Sequence, residues 1–236
     1  MIMYKLSKRM LMNVSMIPTG KNVADIGCDH GWVSIYLIQN KLAKKVFAMD
    51  VAAGPLESAR EHIKQAHLEE SIEVRLSDGL EELKLDEKGA LEADVVLMAG
   101  IGGQLAVRLL RDNLDKCKAT EAIVLQAQSE LDFVRKSVSE MGFIIDAEKM
   151  VIEDGKYYTA MRLVPSDSSD IISLSEAELK YGPVLTKNRP DVLMDYLKYK
   201  RESYNNILDK ITKNNSADFE RISAIRHEIH VIDSIN

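Results

Sequence analysis

Five short apolar runs alternate with amphipathic stretches between residues 22 and 143, and this alternation limits the choice of fold more than any other feature. Each run has the length of one buried strand, and most are followed by a segment with helical periodicity. Two further strand-like runs flank Asp154-Gly155, a dipeptide typical of a β-hairpin turn. Because parallel strands need right-handed crossover helices, the pattern predicts an α/β fold with a mostly parallel, doubly wound sheet.

Helical segments are expected at both ends of this alternation. Before the first strand, Leu6, Met10, Leu11 and Val14 recur at spacings that predict one apolar helix face. After a linker-like stretch at 165–170, two long segments carry near-heptad apolar stripes. The stripes are Leu193, Leu197, Tyr204, Leu208 and Ile211, then Phe219, Ile222, Ile225, Ile229 and Ile232. We predict that they pack as an antiparallel helical hairpin (a coiled coil), so that residues 1–165 form one domain and 166–236 a second.

Composition restricts the compartment and the ligands. None of the apolar runs is long enough for a membrane helix, and the N-terminus lacks the features of a secretory signal, so the cytoplasm is the expected location. Cys28 and Cys117 are too few for a disulfide framework, and the histidine spacing predicts no metal site. With a net charge of −6, binding of nucleic acid would require cations gathered on one surface.

Carboxylates stand at the ends of the first three strands, where doubly wound sheets bind ligands. The first strand runs into "DIGCDHG" (25–31), and the next two end at Asp50 and at Asp78-Gly79. A dinucleotide site would carry G-x-G-x-x-G, whereas this turn lacks the third glycine and adds the charge of Asp29. The pattern therefore favours a ligand with a nucleoside and a positive charge but no phosphate. S-adenosylmethionine is such a molecule.

Several residues of this predicted cofactor site have expected roles. Gly27 and Gly31 let the backbone approach the methionine moiety, Asp50 accepts from the ribose hydroxyls, and Asp78 binds the adenine amino group. Any one of these acids could instead cap the following helix. Cys28 is expected to line the pocket without reacting. The full predicted set is Asp25, Gly27, Cys28, Gly31, Asp50, Val51, Asp78, Gly79, Ala99 and Gly100.

The fourth strand ends in "MAGIGG" (98–103), which has no proline, aromatic residue or acid to clamp an exocyclic amine. A ring nitrogen with an in-plane lone pair, such as N1 of adenine, needs alignment more than a clamp. Its methylated product is cationic, and a nearby carboxylate would stabilise that charge or accept the released proton. The candidate catalytic residues are Asp29 and His30. Asp29 could equally bind the ammonium group of the cofactor, and His30 could be a hydrogen-bonded turn residue.

Several motifs together resemble the bacterial tRNA adenine-N1 methyltransferases of the TrmK type. They are "LSKR", "ADIGCDHG", "SDGLE", "MAGIGG", "IVLQ" and "DGKYY", and with the helical hairpin they span essentially the whole chain. The resemblance implies a class I Rossmann-like methyltransferase that uses S-adenosylmethionine to methylate N1 of an adenosine in the tRNA D-loop, at position twenty-two. Two stretches depart from the family: "LQAQ" (125–128) replaces the frequent "LQPN", and Gly31-Trp32 follows Asp29-His30 where many members read "DHAY".

The expected partner is tRNA, without membrane or metal, and the protein is expected to be a monomer or a weak homodimer. The predicted substrate-binding residues are Lys5, Lys8, Arg9, Gly102, Lys198, Lys200 and Arg201. Solvated helix faces would explain the cations equally well. Three other functions are alternative interpretations of the same sequence features. They are a methyltransferase of a small molecule or protein side chain, a nicotinamide-dependent oxidoreductase, and a cofactor-binding scaffold without catalysis.

Overall fold

A computed structural model of the chain describes residues 5–166, 173–213 and 218–235. The chain divides into two compact units, Met1–Ser173 and Leu174–Asn236. Most of the predicted linker, residues 167–170, lies outside the described residues.

The first unit is built on one seven-stranded sheet. Its strands are β1 (Lys21–Ile26), β2 (Ala43–Asp50), β3 (Ile72–Leu76), β4 (Val95–Ile101), β5 (Ala122–Ala127), β6 (Phe143–Glu153) and β7 (Lys156–Pro165). Their order is β3-β2-β1-β4-β5-β7-β6. The first five strands run parallel, and β7 is antiparallel to both β5 and β6. The predicted α/β fold with a mostly parallel, doubly wound sheet is confirmed.

Six helices accompany this sheet among the described residues of the first unit. They are α1 (Lys8–Val14), α2 (Trp32–Gln39), α3 (Ala53–Gln65), α4 (Gly103–Asp112), α5 (Leu114–Lys118) and α6 (Leu131–Glu140). The central strands are buried on both faces, since Val23 and Val95 on one face and their neighbours Ala24 and Val96 on the other are fully shielded from solvent. Burial of both faces is typical of a parallel sheet covered by its crossover helices.

Two details of the predicted helices are wrong. Leu11, placed on the apolar face of the first helix, is 38% exposed, whereas Met12 and Asn13 are buried. The rest of the predicted face is correct, because Leu6 and Val14 are buried and Met10 packs against the core. In addition, α3 begins at Ala53, so Pro55 lies in its first turn instead of before it. Proline is tolerated there because the first helical N–H groups need no partner inside the helix.

The second unit contains four helices among its described residues: α7 (Glu176–Tyr181), α8 (Pro183–Asn188), α9 (Asp191–Lys213) and α10 (Phe219–Asp233). A hydrogen-bonded capping box between Ser175 and Glu178 starts α7, a helix that the periodicity of the sequence does not predict. Arg201 pairs with Asp233, and Tyr204 donates to Glu228, so α9 and α10 run in opposite directions. The residues between these helices, 214–217, lie outside the described residues.

The predicted apolar stripes of α9 and α10 are only partly buried. Leu193 and Leu197 are shielded in α9, as are Ile225 and Ile232 in α10. Phe219 is 76% exposed, so its assignment to the buried stripe is wrong. It is the first residue of α10, where the helix begins.

Gly103 fixes how closely α4 approaches the loop after β5. A Cβ atom at this position would lie 2.5 Å from the carbonyl oxygen of Ser129 and 3.1 Å from Val134 Cγ2. The neighbouring Gly102 has open space around it and an ordinary φ of −69°. The two adjacent glycines therefore differ in what they contribute to packing.

We expect Gly103→Ala to lower the free energy of unfolding by about 2–3 kcal/mol, because the methyl group must push α4 away from a backbone carbonyl. Gly102→Ala is the matched control and should cost at most about 1 kcal/mol, since alanine is only a poorer N-cap than glycine. Urea denaturation of both variants measures the difference. Equal losses would contradict the close approach at Gly103.

Candidate active site

The strand order reverses between β1 and β4, because the chain leaves β1 toward β2 and leaves β4 toward β5 on the other side. Ligands of open α/β sheets bind beyond the carboxyl ends of the strands at such a point. A cavity of about 310 Å³ lies there. It is lined by eight predicted residues: Arg9, Asp25, Gly27, Cys28, Asp29, His30, Ala99 and Gly100. The structure thus brings together predicted residues from α1, from the turn after β1 and from the end of β4.

Positive φ angles shape the turn after β1. Gly27 has a φ of 72°, Asp29 of 51° and Gly31 of 75°. The N–H groups of Gly27 and Cys28 both donate to the carbonyl of Met49 in β2, at 2.8 and 3.0 Å. Gly31 is the N-cap of α2, and a Cβ there would lie 3.2 Å from Ala59 Cβ. The turn is therefore held to the end of β2 and close to α3.

Asp25 is a buried carboxyl group at the end of β1. Ser34 Oγ in α2 donates to its Oδ2 at 2.6 Å. Burial raises the pKa of Asp25 to about 6, against the opposing effect of the Ser34 bond, and the charge of Asp50 raises it further. An ionised carboxylate here is costly unless a cation accompanies it.

Asp50 connects the first two strand ends. Its Oδ2 accepts from the Asp29 N–H at 3.2 Å and its Oδ1 from the Ala52 N–H at 2.9 Å. A carboxylate oxygen can accept more than one hydrogen bond, so capacity remains for a ligand. The next residue, Val51, is 68% exposed. Asp50 and Val51 do not line the cavity itself but adjoin it through Asp29.

Asp78 has a partner that the sequence motifs did not indicate. Arg108 in α4 donates from Nη1 and Nη2 to the two oxygens of Asp78, at 3.1 and 3.0 Å. Both side chains are partly exposed. Gly79 follows with a φ of 60° and is buried against Leu109 of the same helix. The third predicted acid is therefore oriented by an arginine thirty residues along the chain.

Cys28 is a buried thiol surrounded by carboxylates. Burial and the charges of Asp25, Asp50 and Asp29 raise its pKa far above the usual range, so the thiol stays protonated at neutral pH. Cys117 is also buried and unpaired.

Asp29 and His30, the candidate catalytic residues, lie at the exposed rim of the cavity. The distance from Asp29 Oδ1 to His30 Nε2 is 3.6 Å. The carbonyl of His30 lies 3.0 Å from Nδ1 of His62, whose ring stacks on Trp32 with a centroid distance of 3.9 Å. The stacked pair therefore joins α2 to α3 beside the turn.

The predicted substrate-binding cations occupy different surroundings. Arg9 lines the cavity, and its guanidinium carbon lies 5.1 Å from the ring centroid of Tyr158. Lys5 and Lys8 are exposed, and the backbone N–H of Lys8 donates to Glu153 at 2.6 Å. Gly102 is exposed at the N-cap of α4.

The remaining predicted cations belong to α9 in the second unit. Lys198 is exposed, Lys200 lies 4.9 Å from the ring centroid of Tyr204, and Arg201 pairs with Asp233 at 2.8 Å. Two of the three therefore already have partners within their own unit.

Sequence reasoning missed several cavity residues. Met10, Trp32, Val33 and Ile101 supply apolar walls, while Asn13, Gln126 and Gln128 add amide groups. Two of these could have been recognised, because Asn13 interrupts an apolar helix segment and Gln126 interrupts the apolar run of β5.

The carboxylates around the cavity fit a cationic ligand without phosphate. Asp25 and Asp29 line it and Asp50 adjoins it. Of the described residues that line it, Arg9 is the sole lysine or arginine. A site for pyrophosphate would need the opposite charge balance. Among the described residues no cluster of histidine, cysteine and acidic side chains could hold a metal ion. Nor does any helix in the described ranges have the length and apolarity required to cross a membrane.

We expect Asp25→Asn to raise the free energy of unfolding of the ligand-free protein by up to about 3 kcal/mol at about pH 7.5. The pKa of Asp25 is higher in the folded protein than in the unfolded chain, so the proton stabilises the fold at low pH. That stability is lost as the pH rises through about 6. The advantage of the variant should therefore be small at about pH 4.5, as measured by urea denaturation. Asp209→Asn, at an exposed site, should change stability at neither pH. A neutral or destabilising effect of Asp25→Asn at about pH 7.5 would contradict the buried charge.

Comparisons with known proteins give the family. The family model TrmK, described as tRNA (adenine(22)-N(1))-methyltransferase, matches residues 23–234. The Bacillus subtilis (strain 168) tRNA (adenine(22)-N(1))-methyltransferase is 32% identical over 220 residues, covering 92% of this chain and 89% of the relative.

Two solved structures with bound ligands are similar over nearly the whole chain. Streptococcus pneumoniae Sp1610, a proposed tRNA (m1A22) methyltransferase in complex with S-adenosyl-L-methionine, has a TM-score of 0.83 at 26% identity, covering 98% of this chain and 99% of that one. M. capricolum TrmK in complex with S-adenosyl-homocysteine has a TM-score of 0.78 at 26% identity, covering 99% and 100%. The chain belongs to the TrmK family of tRNA (adenine(22)-N(1))-methyltransferases.

Proposed function

We propose that the cavity between β1 and β4 binds S-adenosylmethionine beside an adenine base, and that the methyl group passes to N1 of the adenosine at position 22 of tRNA. The observation that carries this proposal is the set of carboxylates at the cavity, with Asp25 buried and lacking a cation among the described residues. The positive charge of a sulfonium ligand offsets the cost of that buried carboxylate.

The residues at the ends of β1, β2 and β3 divide the cofactor among them. Asp25, Gly27, Cys28 and Gly31 surround the methionine moiety, and Asp50 accepts from the ribose hydroxyls. Asp78 and Gly79 face the adenine ring, with the exposed Val51 as an apolar surface beside it. Ala99 and Gly100 complete the wall on the β4 side. The cofactor supplies a methyl group bonded to a positively charged sulfur.

Arg108 positions Asp78 in this arrangement. The paired hydrogen bonds hold the carboxylate in one orientation, and each oxygen keeps a lone pair for an adenine amino group. Residues that fix a binding group in this way reduce the entropy lost on binding.

The chain has to align N1 of the base and stabilise the positive charge that methylation places on it. N1 is already a nucleophile, so orientation supplies much of the acceleration. Methylation makes the base cationic and its amino group more acidic. Asp29, at the exposed rim, is the proposed acceptor of a proton released from that amino group. His30, whose Nε2 lies 3.6 Å from Asp29 Oδ1, is the alternative route for the proton to solvent.

The tRNA side of the cavity is formed by α1. Arg9 lies at the opening, where a guanidinium can bind a phosphate near the target base, and Lys5, Lys8 and Gly102 extend that surface. Lys198, Lys200 and Arg201 form a second proposed contact. The target base has to be unpaired or flipped out, because N1 lies on the Watson–Crick edge.

Digestion of tRNA after reaction with methyl-labelled cofactor tests the function. We expect label in 1-methyladenosine at position 22 and none in a tRNA with guanosine there. Label in protein or small molecules instead would favour the alternative methyltransferase.

We expect Asp50→Asn to weaken cofactor binding at least about tenfold, because it removes a charge and an acceptor, and to leave tRNA binding unchanged. Arg9→Ala should do the reverse and flatten the salt dependence of tRNA binding. Calorimetry with cofactor and filter binding with tRNA measure the two effects, and Arg111→Ala in α4 is the control for loss of an exposed arginine. If both variants weakened both ligands equally, the proposed division of the surface would be wrong.

The proposed location is the cytoplasm, where tRNA is modified, and the proposed assembly is a monomer or a weak homodimer.

A further inference from the structure

Gln126 in β5 carries a buried amide oxygen without a hydrogen-bond partner among the described residues. The residue is fully shielded from solvent and lines the cavity. An unsatisfied buried acceptor costs about 1–3 kcal/mol, so such a group in a folded protein calls for an explanation.

The orientation of this amide is determined by the hydrogen bond that its NH2 group makes. Gln126 Nε2 donates to the carbonyl of Ala127 at 3.0 Å. Rotating the amide by 180° would bring Oε1 against that carbonyl, and two acceptors repel. The cavity residue therefore presents an acceptor, and the missing partner is a donor.

The position of Gln126 separates it from the cofactor. It pairs in register with Ala99 of β4, and β4 lies between β5 and β1. At about 4.8 Å per strand, β5 is roughly 10 Å from the end of β1, where the acids begin. If the cofactor extends from β1 over β2 and β3, the donor that meets Gln126 belongs to the substrate. This step rests on the proposed function.

We infer that Gln126 is a specificity-determining residue: its amide oxygen accepts a hydrogen bond from the exocyclic amino group of the target adenine. The amino group is bonded to C6, next to N1, so this bond also orients N1. Guanine and hypoxanthine carry a carbonyl oxygen at C6, which would face Oε1 as a second acceptor.

The same bond contributes more in the transition state than in the ground state. As N1 gains the methyl group, positive charge spreads to the amino group and makes its N–H a stronger donor. A neutral hydrogen bond becomes charge-assisted, which lowers the barrier instead of tightening ground-state binding.

Asn13 in α1 supports this assignment. It is also buried, lines the same cavity and has an oxygen with no partner in the part of the chain that the structure describes. An exocyclic amine has two N–H groups, and the oxygens of Asn13 and Gln126 are two acceptors that could bind them.

The test compares two tRNA substrates, one with adenosine and one with purine riboside at position 22. Purine riboside keeps the N1 lone pair and lacks the amino group. We expect the wild type to lose at least about tenfold in kcat/KM on the change to purine riboside. Gln126→Met keeps the length of the side chain and removes the amide. Its kcat/KM on adenosine should be lower than that of the wild type by a similar factor, whereas its kcat/KM on purine riboside should be close to that of the wild type. Gln65→Leu, on the exposed face of α3, should behave as the wild type.

Three results would overturn the inference. One is a Gln126→Met enzyme that keeps the wild-type preference for the amino group. Another is loss of cofactor affinity in calorimetry equal to the loss of activity, since the oxygen would then serve the cofactor. The third is a wild type that does not distinguish the substrates. If Gln126→Met does not fold, Gln126→Leu enters the same comparison. A wild type that fails to methylate adenosine would overturn the proposed function itself.

Discussion

The parallel pairing of β1 with β4 is the constraint on which the site depends. Residues 23–26 pair in register with residues 95–98, so the end of β1 lies beside Met98 and β4 continues to Ile101. The crossover helices α2 and α4 then lead to opposite sides of the strand order and leave a crevice between them. A shift of one residue in this register would turn Asp25 to the other face of the sheet and remove the buried carboxyl from the cavity.

This crevice carries polar groups that the ligand-free protein does not fully compensate. Asp25 is buried with a hydroxyl as its partner, and Asn13 and Gln126 have amide oxygens without donors among the described residues. Elsewhere in the same unit a buried charge is paired, as Arg135 is with Glu148 at 2.9 Å. Buried polar groups of this kind, which lower stability, are typical of sites where a bound ligand supplies the missing interaction. The unsatisfied groups therefore mark the binding site independently of the motifs.

Local sequence patterns were sufficient for the strands and for the residues at their ends. Strand, turn and glycine signals are carried by neighbouring residues, so the order of residues along the chain is enough to place "DIGCDHG" and Asp50 at one edge of the sheet. Arg108 could not be assigned to Asp78, because only tertiary folding brings α4 to the end of β3. Leu11 and Phe219 were misplaced for a related reason: periodicity identifies an apolar face but does not identify what covers it.

The two sides of the cavity differ in chemistry, and the difference suits a transfer between a cation and a neutral base. Carboxylates face the proposed cofactor side, where a fixed negative charge favours a sulfonium. Neutral amides, Asn13 and Gln126, lie among the residues on the proposed substrate side. N1 can attack only while its lone pair is free, and an acid that shared a proton with the ring would block it. An amide oxygen orients the base through its amino group and has no proton to give, so alignment is obtained without loss of the nucleophile.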